Sequence, residues 1–456
     1  MSDSAGRPRP IAGGSGDPSG FVRTLGVFDA AMIVAGSIIG VGIFITPGLV
    51  AARLPRPGLI FLVWGLGGAI ALCGALSYAE LAARIPEAGG QYVFLRRAYH
   101  PLVGFLYGWV VLLIIATGAL AVLALSFVDH LAALFPLPGG TFRTALALST
   151  LLAFSAVNWV GIRPGSWVQN VLTVAKIGGI AGLLVAAIIG GGPGPGASAE
   201  SLVVAPTGPL ALALGAGLVG VLFSYGGWQH LTFVAEEVRQ PRRALPRALI
   251  VGVGVVIAAY LSANFAYLSA LTPGAMAGSD RVAADAAMAL VGGVGGRLVT
   301  VAIVVSILGI VNSIIMTAPR LYYAMARDGV FLPWIRHLDP RFRTPTRAIA
   351  LQAVWACGLV LVGDIGTLIE GVVFADWIFF GLTVGSVIVF RVRGEGPAAD
   401  EYRVPGFFVV AAAFVVLTSL VNAPIPSAYG TGLLVAGVAA YAFWSRRSGA
   451  RQAAGL

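Results

Sequence analysis

Cysteine is nearly absent from this chain: Cys73 and Cys357 are the two among 456 residues, and both sit in apolar runs. That excludes a disulfide scaffold and a thiolate zinc site. Four histidines are scattered with no HxxxH-type spacing, so no metal is expected. Charge is scarce as well, at 11% of residues, where a soluble globular protein carries about a quarter. There is no nucleophile elbow and no phosphate-binding loop. No enzyme activity and no cofactor are therefore expected, and ATP coupling within the chain is set aside. The first twenty residues are polar, rich in glycine and proline, and hold no apolar core of a leader, so no cleavable signal peptide is expected.

What remains is apolar. Hydrophobic residues make up 58% of the chain and the mean hydropathy is +0.91. A membrane span needs ~20 mainly apolar residues. Twelve stretches meet that length approximately: 27–53, 59–83, 99–128, 142–161, 167–190, 208–235, 246–271, 292–322, 347–363, 367–391, 405–422 and 429–445. The expected class is an all-α polytopic membrane protein embedded in the lipid bilayer.

Arginine orients the spans. With the N-terminus inside, 23 arginines fall on the inner side; only Arg53, Arg56, Arg143, Arg281 and Arg297 fall outside. Positive charge stays on the cytoplasmic side, so both termini are expected to be cytoplasmic, in a multi-pass inner (cytoplasmic) membrane protein. The pI near 10 follows from this bias. The basic residues are spread over every inner loop, which gives no nucleic-acid footprint.

The 28 arginines are accompanied by a single lysine, Lys176, in VLTVAKIGGIAGLLV. It lies about nine residues into the fifth span, ~13 Å deep at 1.5 Å per residue. An ionisable group there costs at least ~2.5 kcal/mol on insertion scales and needs oxygen partners in the bundle interior. The functional reading is a fixed cation at a transport site; the plainer one is a structural or snorkelling lysine.

Two apolar runs are interrupted by glycine. AGSIIGVGIF carries Gly36, Gly40 and Gly42, and FSYGGWQHLTF carries Gly226 and Gly227. The breaks fall in the first and sixth spans, which run in opposite directions. That pattern points to an inverted-repeat transporter whose unwound helices hold the substrate. The half-helix beginning near Val41 offers free N–H groups to a carboxylate. The ends near Ile38 and Phe223 offer carbonyls to an ammonium. Close packing of the small-xxx-small kind is the alternative for Gly36 and Gly40.

These residues resemble a known family. GSIIGVGIFITPG (36–48) and LSYAELAARIPEAGGQYVFL (76–95) resemble signatures of the amino acid–polyamine–organocation (APC) superfamily. LFSYGGWQHLTFVAEEVRQPRRALPRAL (222–249) is similar to the sixth helix of the L-type amino acid transporters. The segments 312–345 and 376–391 are similar to their eighth and tenth helices. The resemblance runs from about residue 24 to 445. It implies a LeuT-type fold: repeats over 24–191 and 207–391, two further helices over 404–445, and tails over 1–23 (disordered) and 446–456. It also implies a sodium-independent carrier of neutral L-amino acids, by exchange or facilitated uptake, working by alternating access.

By the family's pattern the amides of Val41 and Gly42 would hold the substrate carboxylate. The carbonyls of Ile38, Phe223 and Gly226 would hold its amine, with Gly40 and Ser224 in the same breaks and Phe223 as a lid. Lys176 matches a lysine that ties the fifth helix to the unwound part of the first. Val41 stands where a small or hydroxylated residue is common, and Gln229 where asparagine is usual. Relatives that join a glycoprotein heavy chain do so through a cysteine between helices three and four. The loop here, DHLAALFPLPGGT, has none, so no disulfide-linked partner is expected.

Asp376 is a second mid-span charge, with a structural, proton or selectivity role. Glu80, Glu236 and Glu237 lie at inner span ends and are expected in solvated or gate-forming ion pairs. Three alternatives stay open: a proton-coupled symporter, a carrier of cationic amino acids or polyamines, and an amino acid sensor that does not transport.

Overall fold

The computed structural model describes residues 20–190, 209–362, 366–395, 405–422 and 424–453. Of the expected N-terminal tail, residues 1–19 lie outside the described residues, as do 454–456 of the C-terminal one. Among the described residues eighteen α-helices follow one another: α1 (Val27–Ile38), α2 (Gly42–Arg53), α3 (Pro57–Arg84), α4 (Gln91–Ala98), α5 (Pro101–Val110), α6 (Ala116–Ala132), α7 (Thr141–Trp159), α8 (Ile162–Ile189), α9 (Leu210–Ser224), α10 (His230–Phe233), α11 (Pro241–Ala270), α12 (Pro273–Ala277), α13 (Val282–Val291), α14 (Gly293–Arg327), α15 (Thr346–Val362), α16 (Gly366–Val392), α17 (Pro405–Asn422) and α18 (Pro424–Ala453). Among the described residues there is no strand, only one isolated bridge between Leu25 and Val238.

Backbone N–H and C=O groups have no water to bond in a bilayer core, so helices are the natural spanning form for such an apolar chain. Among the described residues, seven helical stretches, Pro57–Arg84, Pro101–Ala132, Ile162–Ile189 and Gly293–Arg327 among them, are long and apolar enough to cross a membrane. The pair α1 and α2 makes an eighth candidate, bent by 44° at its break. Proline opens several helices, at Pro57, Pro101 and Pro241, where its missing N–H costs nothing.

Packing sorts the helices around α1. The long α11 lies against both α3 and α1, and α2 runs beside α9. On the other flank α1 meets α8 and α14, and α14 packs on α6, α7 and α8. α16 lies against α17, α18 and α4. The two interrupted runs, α1–α2 and α9–α10, are thereby enclosed by unbroken helices.

Several boundaries differ from the sequence reading. α8 begins at Ile162, not 167, because Pro164 is accommodated in its first turn. α14 continues to Arg327, and α18 to Ala453. The connection after α11 is helical as α12 and α13, both too short to read as spans.

Candidate functional site

α1 stops at Ile38 and α2 starts at Gly42. The glycines around this break divide two tasks. Gly36 lies inside α1, where a Cβ would come within 2.1 Å of Thr173 Oγ1 and 2.2 Å of Gln169 Nε2. It is the close-packing glycine, seating α1 on α8. Gly40 lies in the non-helical link itself.

Lys176 holds that link. It sits mid-way along the 28-residue α8, is 2% exposed, and donates to the carbonyls of Gly36 and Ile39, each at 2.8 Å. Ser306 on α14 adds a third donor, to Ile39 O at 3.1 Å. A buried ammonium is tolerated because carbonyls released from helical pairing replace its hydration. Around it runs a polar seam: Ser37 contacts Ser313 at 2.5 Å, and Asn312 donates to Gly165 O and Gln169 Oε1.

The second break spans Tyr225–Gln229, between α9 and α10. Gly227 takes φ +132°, a backbone open to glycine, and a Cβ there would lie 2.6 Å from the Ser37 carbonyl oxygen. The two breaks therefore touch. Tyr260 of α11 joins them: its hydroxyl is 2.9 Å from Ile38 O and 3.0 Å from Ser224 O. One hydroxyl proton is shared between two carbonyls, one from each interrupted helix. Thr46 and Ser224 add a link of 2.9 Å between α2 and α9.

A cavity of about 490 Å³ opens beside this junction. Ile38, Gly40, Val41, Gly42, Phe223, Ser224 and Gly226 all line it, and so does Asp376. Lys176 does not; it lies behind the break, on the far side of its carbonyls. The amides of Val41 and Gly42 have no acceptor among the described residues. The carbonyls are less available: Ile38 O takes Tyr260, and Phe223 O takes the Gly226 amide at 3.1 Å. A shallower groove of about 560 Å³, between Arg53, Leu212 and Phe414, is remote from both breaks.

The opposite wall is aromatic. Tyr107, Phe233, Trp377 and Phe380 line it, and Trp228 stacks on Phe380 at 5.4 Å. His230 also lines it, its Nδ1 2.8 Å from Thr317 Oγ1. Between α5 and α6 the chain forms a π-helical turn, Val111–Ile115, and Val111, Ile114 and Ile115 face the cavity. Such turns recur at functional sites. Nothing in the run VLLII signals it.

Away from Phe223, the ends of α10 and α14 around Arg320 are closed. Arg320 donates to both Glu237 oxygens, at 2.9 and 3.1 Å, and both side chains are buried. Glu236 pairs with Arg327 at 3.0 Å. Glu80 pairs with Arg84 and with Arg391. Residues before α1 complete the closure: the amides of Thr24 and Leu25 bond Glu237 O, and the Phe21 ring lies under the Arg320 guanidinium. Glu236, Glu237 and Glu80 thus all stand in ion pairs, the Glu237 pair out of contact with solvent.

With this geometry in hand, the sequence comparisons decide the family. The amino acid permease family model matches residues 25–441. The chain belongs to the amino acid permease family. This permease is a multi-pass membrane protein of the APC superfamily and an amino acid transporter. It is similar to the serine/threonine exchanger SteT of Bacillus subtilis, 31% identical over 412 residues, covering 88% of the permease and 92% of that relative. The b(0,+)-type amino acid transporter 1 of Homo sapiens is 31% identical over 419 residues, covering 88% and 83%. The large neutral amino acids transporter small subunit 2 of Homo sapiens is 31% identical over 453 residues, covering 96% and 84%.

The sequence reading passed over Tyr260, Ser306, Asn312 and Thr317, all buried in the permease around the breaks. Each is a single polar side chain in an apolar run. Asn312 and Ser313 stand within a stretch that carries the family resemblance, which was the available signal.

Proposed function

We propose that this permease exchanges neutral L-amino acids across the inner (cytoplasmic) membrane by alternating access and without sodium. The observation that carries the reading is the Lys176 ammonium bonded to the Gly36 and Ile39 carbonyls. A fixed cation occupies the carbonyl oxygens that the break exposes, so no inorganic cation is needed to keep them apart. In front of it, the unpaired amides of Val41 and Gly42 suit a substrate carboxylate at the start of α2. The Gly226 carbonyl and the oxygens of Ile38 and Phe223 lie beside the same cavity and suit its amine.

Twelve spans in a LeuT-type 5+5 arrangement, with both termini cytoplasmic, complete the proposal. The two touching breaks support it, as does the arginine bias. The cavity reaches Phe223, which is 57% exposed, while the Arg320–Glu237 side is sealed. That arrangement fits a carrier open to the outside, with Phe223 placed to close over the substrate. Exchange draws support from the printed activity of the bacterial relative. No disulfide-linked subunit is proposed: Cys73 in α3 and Cys357 in α15 are free and lie within apolar helices.

The test is counterflow in proteoliposomes without sodium, with unlabelled neutral amino acid inside and labelled alanine or serine outside. Transient accumulation is expected. Saturable binding without accumulation would make the protein a sensor. Uptake that requires sodium or an imposed proton gradient would overturn the coupling proposed here.

A further inference from the structure

Among the described residues, Asp376 is the one carboxylate on the cavity wall, and neither lysine nor arginine lines that wall. Its Oδ1 is buried and has no hydrogen-bond partner among the described residues. No ion pair to Asp376 is found among them either. Glu80, Glu236 and Glu237 each stand in an ion pair, which sets Asp376 apart from them. A buried carboxylate left alone costs several kcal/mol. In a transport site that cost becomes a selectivity device, because the group that relieves it enters with the substrate.

The surroundings say which group fits. A substrate whose carboxylate and amine sit at the two breaks directs its side chain across the cavity, toward α5, α6 and α16. There the wall combines apolar residues, Val111 and Ile115, with Asp376 and the aromatic rings of Tyr107, Trp377 and Phe380. A long aliphatic stem ending in a positive charge matches this combination of surfaces. The stem covers the apolar residues, the charge meets the carboxylate, and aromatic faces favour a cation as well.

We propose that Asp376 is a specificity residue that admits amino acids with cationic side chains, pairing the terminal ammonium or guanidinium inside the cavity. The inference rests on the transport reading above and widens its substrate range.

The experiment uses counterflow of labelled lysine, arginine and alanine in sodium-free proteoliposomes containing the full chain. Wild-type protein is expected to take up lysine or arginine as well as alanine, and arginine is expected to inhibit alanine uptake. In Asp376→Asn the lysine-to-alanine uptake ratio is expected to fall at least tenfold; Asp376→Glu, which keeps the charge, is expected to retain most of it. Wild-type protein that moves alanine but is blind to lysine and arginine overturns this inference alone, and alanine uptake driven by protons with the same blindness assigns Asp376 to proton carriage instead. An unchanged ratio in Asp376→Asn overturns it too. Failure of every substrate to move overturns the transport reading with it.

Discussion

A methyl group on Gly309 would stand 2.6 Å from the Nζ atom of Lys176. The glycine on α14 is thus the floor on which the ammonium rests while it bonds Gly36 and Ile39. The Gly309→Ala variant is expected to push Lys176 off both carbonyls without removing it. Each charge-assisted bond is worth ~1.5–3 kcal/mol and ~1.4 kcal/mol is a factor of ten. Initial counterflow rates should therefore drop at least about tenfold in Gly309→Ala and vanish in Lys176→Ala, with both proteins still inserted. Wild-type rates in Lys176→Ala would remove the lysine from the mechanism.

Tyr260 gives one hydroxyl to two carbonyls. The Tyr260→Phe variant leaves Ile38 O and Ser224 O without that donor, a loss of about 1–3 kcal/mol for each buried group left unsatisfied. The expected outcome is a lower melting temperature in detergent together with a raised KM for alanine. A variant with wild-type melting and wild-type KM would mean that the hydroxyl holds neither break.

The Arg320–Glu237 pair lends itself to a double-mutant cycle. Removing one partner strands a buried charge, at about 3–5 kcal/mol. Arg320→Met alone should destabilise strongly, whereas Arg320→Met combined with Glu237→Leu should recover part of the loss. Chemical unfolding or thermal inactivation of the four proteins measures the coupling. Simple additivity would show that the two charges do not depend on each other.

Gly227→Ala places a side chain at φ +132° and 2.6 Å from the Ser37 oxygen. Such a backbone costs a non-glycine residue about 1–3 kcal/mol, and the contact pries the breaks apart. Transport is expected to fall sharply while membrane insertion persists. Gly58, with open space around its Cβ position, is the control: Gly58→Ala should leave rates near wild type.

The positions of both breaks were legible, because glycine pairs in long apolar runs contradict the regularity a spanning helix needs. Ile38 as the end of one half and Val41 as the cap of the next could be read almost to the residue. Lys176 stood out by being alone. Tyr260 did not, since a tyrosine in AAYLSANF reads as packing, and only the third dimension brings its hydroxyl to Ile38 and Ser224. Arg320 is indistinguishable in the sequence from the other arginines of its side; its burial depends on Glu237 and Phe21 folding over it. The fifth span starts earlier than its apolar run, at Ile162, because the first turn of a helix accepts Pro164.

A carbonyl oxygen has two lone pairs, and those of Ile39 are engaged by Lys176 and Ser306. To splice α1 and α2 into a continuous rod, that oxygen would have to turn to the Ile43 amide four residues on, abandoning an ammonium inside the protein. The gap is consequently a standing part of the architecture and needs no visiting molecule to induce it. The docking geometry is in place before any substrate arrives, so the ordering of that peptide is settled once, at folding, instead of at every binding event.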